Sequence, residues 1–257
     1  MSNLALAHKK ANVVPFELII GKNTIDGNTT SENSISKSKG KSSEVYAFRT
    51  KEEIAAMIDV FDKHIEEATN DNQRQIAHRN KMLFMIGINV GIRGSDLRTL
   101  KWSFFFEEKN GELKFKDFYV LQPMKQRKCK KFVKLFFNQT VKQAINNYIA
   151  EYPINNLDDY LFASRKGNSP ITVRALWDII KRAASEAGIN QNIGSHSLRK
   201  TFGKFVYEGA EDKSNALVLL QQIFNHSSTA TTAKYIGLTD DNIAEAFNNL
   251  NLGLDMI

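Results

Sequence analysis

Four stretches of the sequence hold side chains able to act on a phosphate ester. In NVGIRGSDLRTLKW, Arg93 stands between two glycines after an apolar run, where its guanidinium would emerge at a helix-to-helix turn. In SHSLRKTFG, Ser195 can cap a helix, which puts His196 and Arg199 at i and i+3 on one face. In FNHSSTATTAKYIGL, His226 precedes Tyr235 by nine residues. The turn KQRKCKKFVK gathers Lys125, Arg127, Lys128, Lys130, Lys131 and Lys134 without one acid, the electrostatic footprint of a nucleic-acid backbone contact. Each has a plainer reading. Arg93 could pair with Asp96 at the surface, and His196 could be structural. Tyr235 could be an amphipathic core residue, and the basic turn a solvated hairpin tip.

Taken together, two arginines, two histidines, a lysine and a tyrosine supply what metal-free chemistry on a phosphodiester needs. Guanidinium forks match phosphate oxygens and stabilise a five-coordinate transition state. A tyrosine hydroxyl is a weak nucleophile at its free pKa of about 10, and nearby cations are expected to lower that value. A histidine can take the tyrosine proton, and a lysine can protonate the leaving alkoxide. A two-metal nuclease needs clustered carboxylates instead. The pairs Asp158-Asp159 and Asp240-Asp241 sit where a turn or helix start would want them, so they read as caps, and neither metal nor cofactor is expected.

These side chains need a scaffold of mostly helical elements. Thr50 with Glu53 fits a capping box, and Ile54, Met57, Ile58, Phe61 and Ile65 follow at helical spacing. A second helix is predicted from about Arg74 to Val90, stopped by Gly91. Phe104–Phe106, Lys114–Leu121 and Phe132–Phe137 are β-prone and separated by Asn110-Gly111 and the basic turn, which predicts one small antiparallel sheet. Helices are predicted again over 139–151, 172–187, 196–209, 215–224 and 240–250, with a short strand from Tyr160 to Ala163. Residues 1–44 are rich in Ser, Thr, Asn, Lys and Gly toward their end and read as a flexible polar tail ahead of a domain at 45–257.

Composition bounds the class. The chain has 257 residues, 42% hydrophobic and 25% charged, with a formal net charge of +7, which favours a polyanionic partner. The lone Cys129 excludes a disulfide framework and a multi-cysteine zinc site. The longest apolar stretch, Leu83 to Ile92, is too short to span a bilayer and contains Asn89. The N-terminus lacks the pattern of a signal peptide, so a cytoplasmic protein with no membrane partner is expected.

At this point the three boxes resemble those of the tyrosine recombinases, the phage integrases and their relatives. GIRGSDLRTLKW is similar to the family's first arginine box, HSLRKTFG to its histidine–arginine box, and FNHSSTATTAKYIGL to its closing box. The separations also agree: 106 residues from Arg93 to Arg199, 27 to His226 and nine to Tyr235. The resemblance covers roughly residues 45–250. It implies an α+β catalytic fold, mainly helical with a small antiparallel sheet, in which Arg93 and Arg199 clamp the phosphate and Tyr235 attacks it. His196 would assist proton transfer, and His226 would donate a further hydrogen bond to the phosphate. The family's lysine at the turn of the small sheet matches Lys125 best, with Lys128 as runner-up. Arg127, Lys128, Lys130, Lys131, Arg174 and Lys204 become candidate DNA contacts.

The implied reaction is cleavage of one DNA strand to a 3′-phosphotyrosine with release of a 5′-hydroxyl, then exchange through a Holliday junction by four protomers on double-stranded DNA. The last helix, with Ile243, Phe247 and Leu250 on one side, would dock on its own domain or on a neighbour. Two departures stand out. Asn225 replaces the glycine usual before the closing histidine, which Asn tolerates because it accepts left-handed geometry. The 44 residues before Val45 are too few and too polar for the family's helical DNA-clamping domain. That predicts a catalytic-domain-only member, or a clamp completed by an accessory DNA-binding chain, with salt-sensitive binding. Two other readings stay open: a type IB topoisomerase, which relaxes supercoils with the same chemistry, and a non-catalytic DNA-binding regulator on the same scaffold.

Overall fold

The computed structural model describes residues 44–125, 132–165, 167, 169–238 and 247. Helix α1 (Lys51–Glu66) begins at Thr50, whose side chain accepts from the Glu53 N–H. The return half of the expected capping box goes one residue further, because Glu53 Oε2 accepts from the Arg49 N–H at 2.6 Å. Met57, Phe61 and Ile65 are buried as their spacing predicts, with Ile54 and Ile58 packed at the margin of the same cluster. Helix α2 (Asp71–Val90) starts three residues before its predicted position because Asn70 caps it, accepting from the Gln73 N–H at 2.9 Å. It stops at Gly91, with φ of 63°. A Cβ there would lie 2.4 Å from the Phe202 ring, so only glycine allows both the left-handed turn and the close approach of the later helix.

Helix α2 is the central element. Helix α1, α5 (Gln139–Glu151) and α7 (Ser195–Gly209) pack on it, and α6 (Val173–Glu186) covers α1 and α7. Their apolar faces fill one core around Phe48, Phe61, Leu83, Phe84, Ile86, Leu97, Ile145, Leu176 and Leu198. Phe84 meets Phe48 and Phe61 at ring separations of 5.6 Å each. Burying such a side chain contributes about 1.5–3 kcal/mol, which places most of the driving force in this helical layer. A second, smaller cluster of Leu220, Phe224 and Ile236 joins α7 to α8 (Lys213–Phe224) and α9 (Thr229–Ile236), with Phe202, Val206 and Tyr235 at its edge.

Two short helical segments, α3 (Gly94–Leu97) and α4 (Trp102–Phe105), follow α2. The Phe104–Phe106 run, expected as strand, therefore enters a helical turn and only Phe106 starts β1. Trp102 and Phe105 are buried in the helical core, and that packing overrides the β-propensity of an aromatic run. Strands β1 (Phe106–Lys109) and β2 (Glu112–Phe115) pair antiparallel across Asn110 and Gly111, with φ of 57° and 78°, the two-residue turn that Asn-Gly favours. Strands β3 (Phe118–Leu121) and β4 (Val133–Phe136) make a second antiparallel pair. The expected single sheet is thus two two-stranded ladders, and the Lys114–Leu121 run breaks at Lys116-Asp117, where the Lys116 N–H turns to the Phe105 carbonyl. The expected strand at Tyr160–Ala163 reduces to single bridges, Lys101 with Tyr160 and Ala163 with Pro170.

Helix α7 is capped by Gly194 rather than Ser195, which is its first helical residue. Helix α9, carrying Tyr235, was not foreseen; Ser228 starts it by accepting from the Thr231 N–H at 3.1 Å. The expected tail at 1–44 lies outside the described residues except for exposed Glu44, as does the helix at 240–250 except for exposed Phe247. Among the described residues, no helix is long and apolar enough to cross a membrane.

Candidate active site

Arg199 is the anchor. Helix α7 directs it inward, where it is 4% exposed. Its Nη1 donates to the Gly91 carbonyl at 2.7 Å and its Nη2 to the Phe224 carbonyl at 2.9 Å. Those carbonyls stand at the C-terminal ends of α2 and α8, where unpaired acceptors and the helix dipoles favour a cation. The guanidinium also lies 4.3 Å from the centre of the Phe224 ring. Burial pushes its pKa down to about 10, opposed by Tyr235 and Asp96 and reinforced by Arg93, so it stays charged at neutral pH. Five N–H donors on a guanidinium leave some for a phosphate after both carbonyls are served.

Tyr235 reaches the same point from α9. Its ring meets Phe224 edge-on at 5.4 Å and His226 at 5.0 Å. Helix α9 can come this close because α7 has Gly203 at the crossing, where a Cβ would lie 2.6 Å from Ile236 and 2.8 Å from Phe224. Burial raises the Tyr235 pKa above the usual tyrosine value, while Arg199 and Arg93 pull it down by charge and Arg199 also by a hydrogen bond. The expected net lowering is therefore reversed in the free protein: desolvation outweighs the cations.

His226 follows the C-cap of α8, Asn225, which takes φ of 53°. The asparagine thus adopts the left-handed turn in place of the glycine. His226 Nδ1 lies 3.1 Å from Thr232 Oγ1, and burial, then Arg199 and Arg93, lower its pKa. His196, at the exposed start of α7, is lowered by desolvation first and then by Lys125, Arg199, Arg93 and Lys200. Both rings are consequently neutral at pH 7.

Arg93 precedes α3 as its N-cap, partly buried, and its side chain has no hydrogen bond or ion pair among the described residues. The plain reading that paired it with Asp96 does not hold. Asp96 is 2% exposed and its Oδ1 accepts from the Met124 N–H at 2.8 Å. That bond ties the end of the β3 side to α3 and sets down Lys125, the next residue, whose charge reaches His196. Asp96 is a residue that sequence reasoning passed over as a salt-bridge partner. Lys200 is another: it is 9% exposed, with Nζ 5.5 Å from the Tyr235 ring centre and 3.2 Å from Glu44 Oε1. The sequence carried no signal for it, because residues adjacent along a helix point to different faces, so its place beside Arg199 does not put it toward α9.

The remaining candidates are not gathered here. Arg127, Lys128, Lys130 and Lys131 lie outside the described residues. Arg174 is occupied within α6, 3.1 Å from Asp178 and over the Trp177 ring. Lys204 pairs with Glu208 along α7. Asp158 is exposed in a turn beside Lys101, and Asp240 and Asp241 lie outside the described residues. Among the described residues, no group of three or more His, Cys, Asp or Glu could hold a metal ion. A cleft of about 760 Å³ between α1, α2 and α6 contains none of the clustered residues.

Residues 35–242 match the phage integrase family. The chain is 31% identical over 184 residues to the probable integrase/recombinase YoeC of Bacillus subtilis strain 168, covering 70% of this chain and 91% of that one. It is 26% identical over 182 residues to the tyrosine recombinase XerD of Oceanobacillus iheyensis, covering 68% of this chain and 55% of the relative. In fold it is similar to the XerH site-specific recombinase in a post-cleavage complex with its palindromic difH substrate, with a TM-score of 0.55, 22% identity, and coverage of 82% and 55%. The chain therefore spans nearly all of YoeC and about half of the XerD and XerH chains. This chain belongs to the phage integrase family, as a tyrosine recombinase catalytic domain.

Proposed function

We propose that the domain at 45–257 is a site-specific DNA recombinase, cutting and rejoining double-stranded DNA through a phosphotyrosine at Tyr235. The observation that carries this reading is the convergence of α7, α9 and the turn before α3, with the charges of Arg199 and Arg93 both bearing on Tyr235. The Tyr235 hydroxyl oxygen attacks the phosphorus, its proton passes to His196, and the bond from phosphorus to the 5′ oxygen breaks. Lys125 gives a proton to that oxygen, releasing a 5′-hydroxyl. Arg93, Arg199 and His226 hold the non-bridging oxygens as charge builds on them. A phosphate between the arginines adds its own charge and contacts, but Tyr235 starts from a raised pKa, so proton removal by neutral His196 has to accompany attack.

The phosphodiester energy is kept in the tyrosyl ester, so a 5′-hydroxyl from a second duplex can reverse the step. Exchange through a Holliday junction by four protomers follows, with the helix at 240–250 docking between or within protomers. Arg127, Lys128, Lys130 and Lys131 would hold the DNA backbone, with Arg174 and Lys204 as outer contacts once their partners release them.

The test uses supercoiled plasmid carrying the DNA that flanks the gene, incubated in EDTA and quenched in detergent. Wild type is expected to give protein-linked nicked plasmid. Tyr235→Phe is expected to give none while binding DNA nearly as well. Adduct in the Tyr235→Phe protein overturns the assignment. Tight binding without adduct in wild type supports the regulator instead.

A further inference from the structure

Thr232 belongs to none of the motif roles, yet its side chain is wholly buried beside the site. A buried hydroxyl needs partners inside the protein. Two are in reach: the Ser228 carbonyl at 3.2 Å, one turn back in α9, and His226 Nδ1 at 3.1 Å. The Ser228 carbonyl already accepts the Thr232 backbone N–H at 3.2 Å, so it is not left bare if the hydroxyl turns away. Nδ1 has no such alternative; Thr232 is its hydrogen-bond partner among the described residues.

We propose that Thr232 is a positioning residue: its hydroxyl donates to His226 Nδ1 and so fixes the ring hydrogen on Nε2, the one nitrogen left to donate to a phosphate. This rests on reading His226 as a phosphate contact. The opposite tautomer, with Nδ1–H pointing into Thr232, presents a bare Nε2 lone pair to phosphate oxygens, which are acceptors only. Protonating the ring would also make Nε2 a donor, but the surroundings oppose it. Partial burial opposes a charge on the ring first, and Arg199 from α7 and Arg93 from the turn before α3 repel it further. From α9 the titratable neighbour is Tyr235, which is neutral with its pKa raised, and from α8 the neighbours are uncharged: the Phe224 ring, 5.3 Å from the His226 ring, and the Gln221 side chain, which donates to the His226 carbonyl at 3.3 Å. Thr232 lets His226 donate without carrying charge among cations. The helix that presents the nucleophile also sets the hydrogen-bond donor.

Three variants test this. Thr232→Val keeps the shape and removes the hydroxyl, and Thr232→Ser restores it. At about pH 8, Thr232→Val is expected to form adduct roughly tenfold more slowly than wild type with unchanged DNA affinity, the scale of one lost hydrogen bond to a charged group. The deficit should narrow as pH falls below about 6.5, because a protonated ring donates from both nitrogens whether or not Thr232 is there. Thr232→Ser should regain most of the rate. In DNA-free protein, nitrogen-15 correlation spectra of the His226 ring should place the hydrogen on Nε2 in wild type and on both nitrogens in Thr232→Val. A ring hydrogen on Nδ1 in wild type, or a rate ratio that stays at one across pH, overturns the proposal. Adduct in the third variant, Tyr235→Phe, overturns the underlying reading and leaves the tautomer measurement standing on its own.

Discussion

The two arginines proposed to hold the phosphate occupy opposite kinds of place. Arg199 is buried between the C-terminal ends of α2 and α8 and already bonds a carbonyl on each, so it is part of the protein's interior as much as of its site. Arg93 is partly buried at a turn, with no hydrogen bond or ion pair of its side chain among the described residues. One guanidinium is fixed before substrate arrives; for the other, the hydrogen bonds among the described residues are made by its backbone, whose carbonyl accepts from the Asp96 and Leu97 N–H groups of α3. The difference teaches that a charge needed for catalysis can be stabilised by the fold or left for the substrate to satisfy, and that the two arrangements differ in what they contribute to stability.

Mutating each to alanine sharpens this most. Both variants are expected to lose adduct formation by about a hundredfold or more, because each removes charge that faces the transition state. Their melting should diverge. Arg199→Ala leaves the Gly91 and Phe224 carbonyls without their donors, at about 1–3 kcal/mol for each buried group, and should lower Tm by about 10 °C. Arg93→Ala should stay within about 0.5 kcal/mol of wild type. Equal melting of the two variants, followed by calorimetry, would sink the comparison. Arg199→Lys should melt between them, since one ammonium cannot span both carbonyls.

The hairpin lysine extends the contrast. Lys125 is exposed and is placed through its neighbour, by the Met124 N–H on Asp96. Asp96→Ala strips that N–H of its acceptor and should slow adduct formation about tenfold, with a stability loss of about 1–3 kcal/mol. Asp96→Asn retains an acceptor, so its Tm should lie nearer wild type, while its rate stays reduced because the carboxylate also offsets the charge around Arg199. Full activity in Asp96→Ala would mean that Lys125 finds its place without the tether.

Much of this was legible in the sequence because it rests on local geometry. His196 and Arg199 sit three apart on α7, and the α2 stop at Gly91 needs a left-handed residue that the sequence supplies. Helix α9 was missed because TATTAKYI is rich in threonine, which is indifferent to helix; the Ser228 cap and the packing of Ile236 against Phe224 decide it instead. Phe104 and Phe105, within the Phe104–Phe106 run expected as strand, depart for the reverse reason, since aromatics read as strand until their burial is known. The direction of the Tyr235 shift was beyond reach too. Counting cations along the chain gives their sign, but not how much water they displace from the ring, and that desolvation wins. Asp96 was visible only as a partner for Arg93, because its true partner, Met124, is 28 residues away.

The smallest expected effect compares the site with a histidine remote from it. His196, His226 and His78 all have lowered pKa values, His78 through burial first, with Glu151 opposing and Arg74 and Lys81 adding. In the unfolded chain each returns to about 6.5, so just below that pH the unfolded state binds more protons than the folded one. This contribution is complete above about pH 6.5 and is lost as pH falls from there through the lowered folded values, so Tm should decline as pH drops below about 6.5. His78→Asn should remove its own share of that decline while leaving adduct formation unchanged, since His78 lies on α2 beside Glu151, outside the cluster. DNA should act on the other two alone: a bound phosphate opposes Arg199 and Arg93 and raises the pKa values of His196 and His226, flattening the decline. Calorimetry of wild type and His78→Asn, with and without a DNA duplex, separates the contributions. A slope that DNA leaves untouched in both proteins would place the phosphate away from those two histidines.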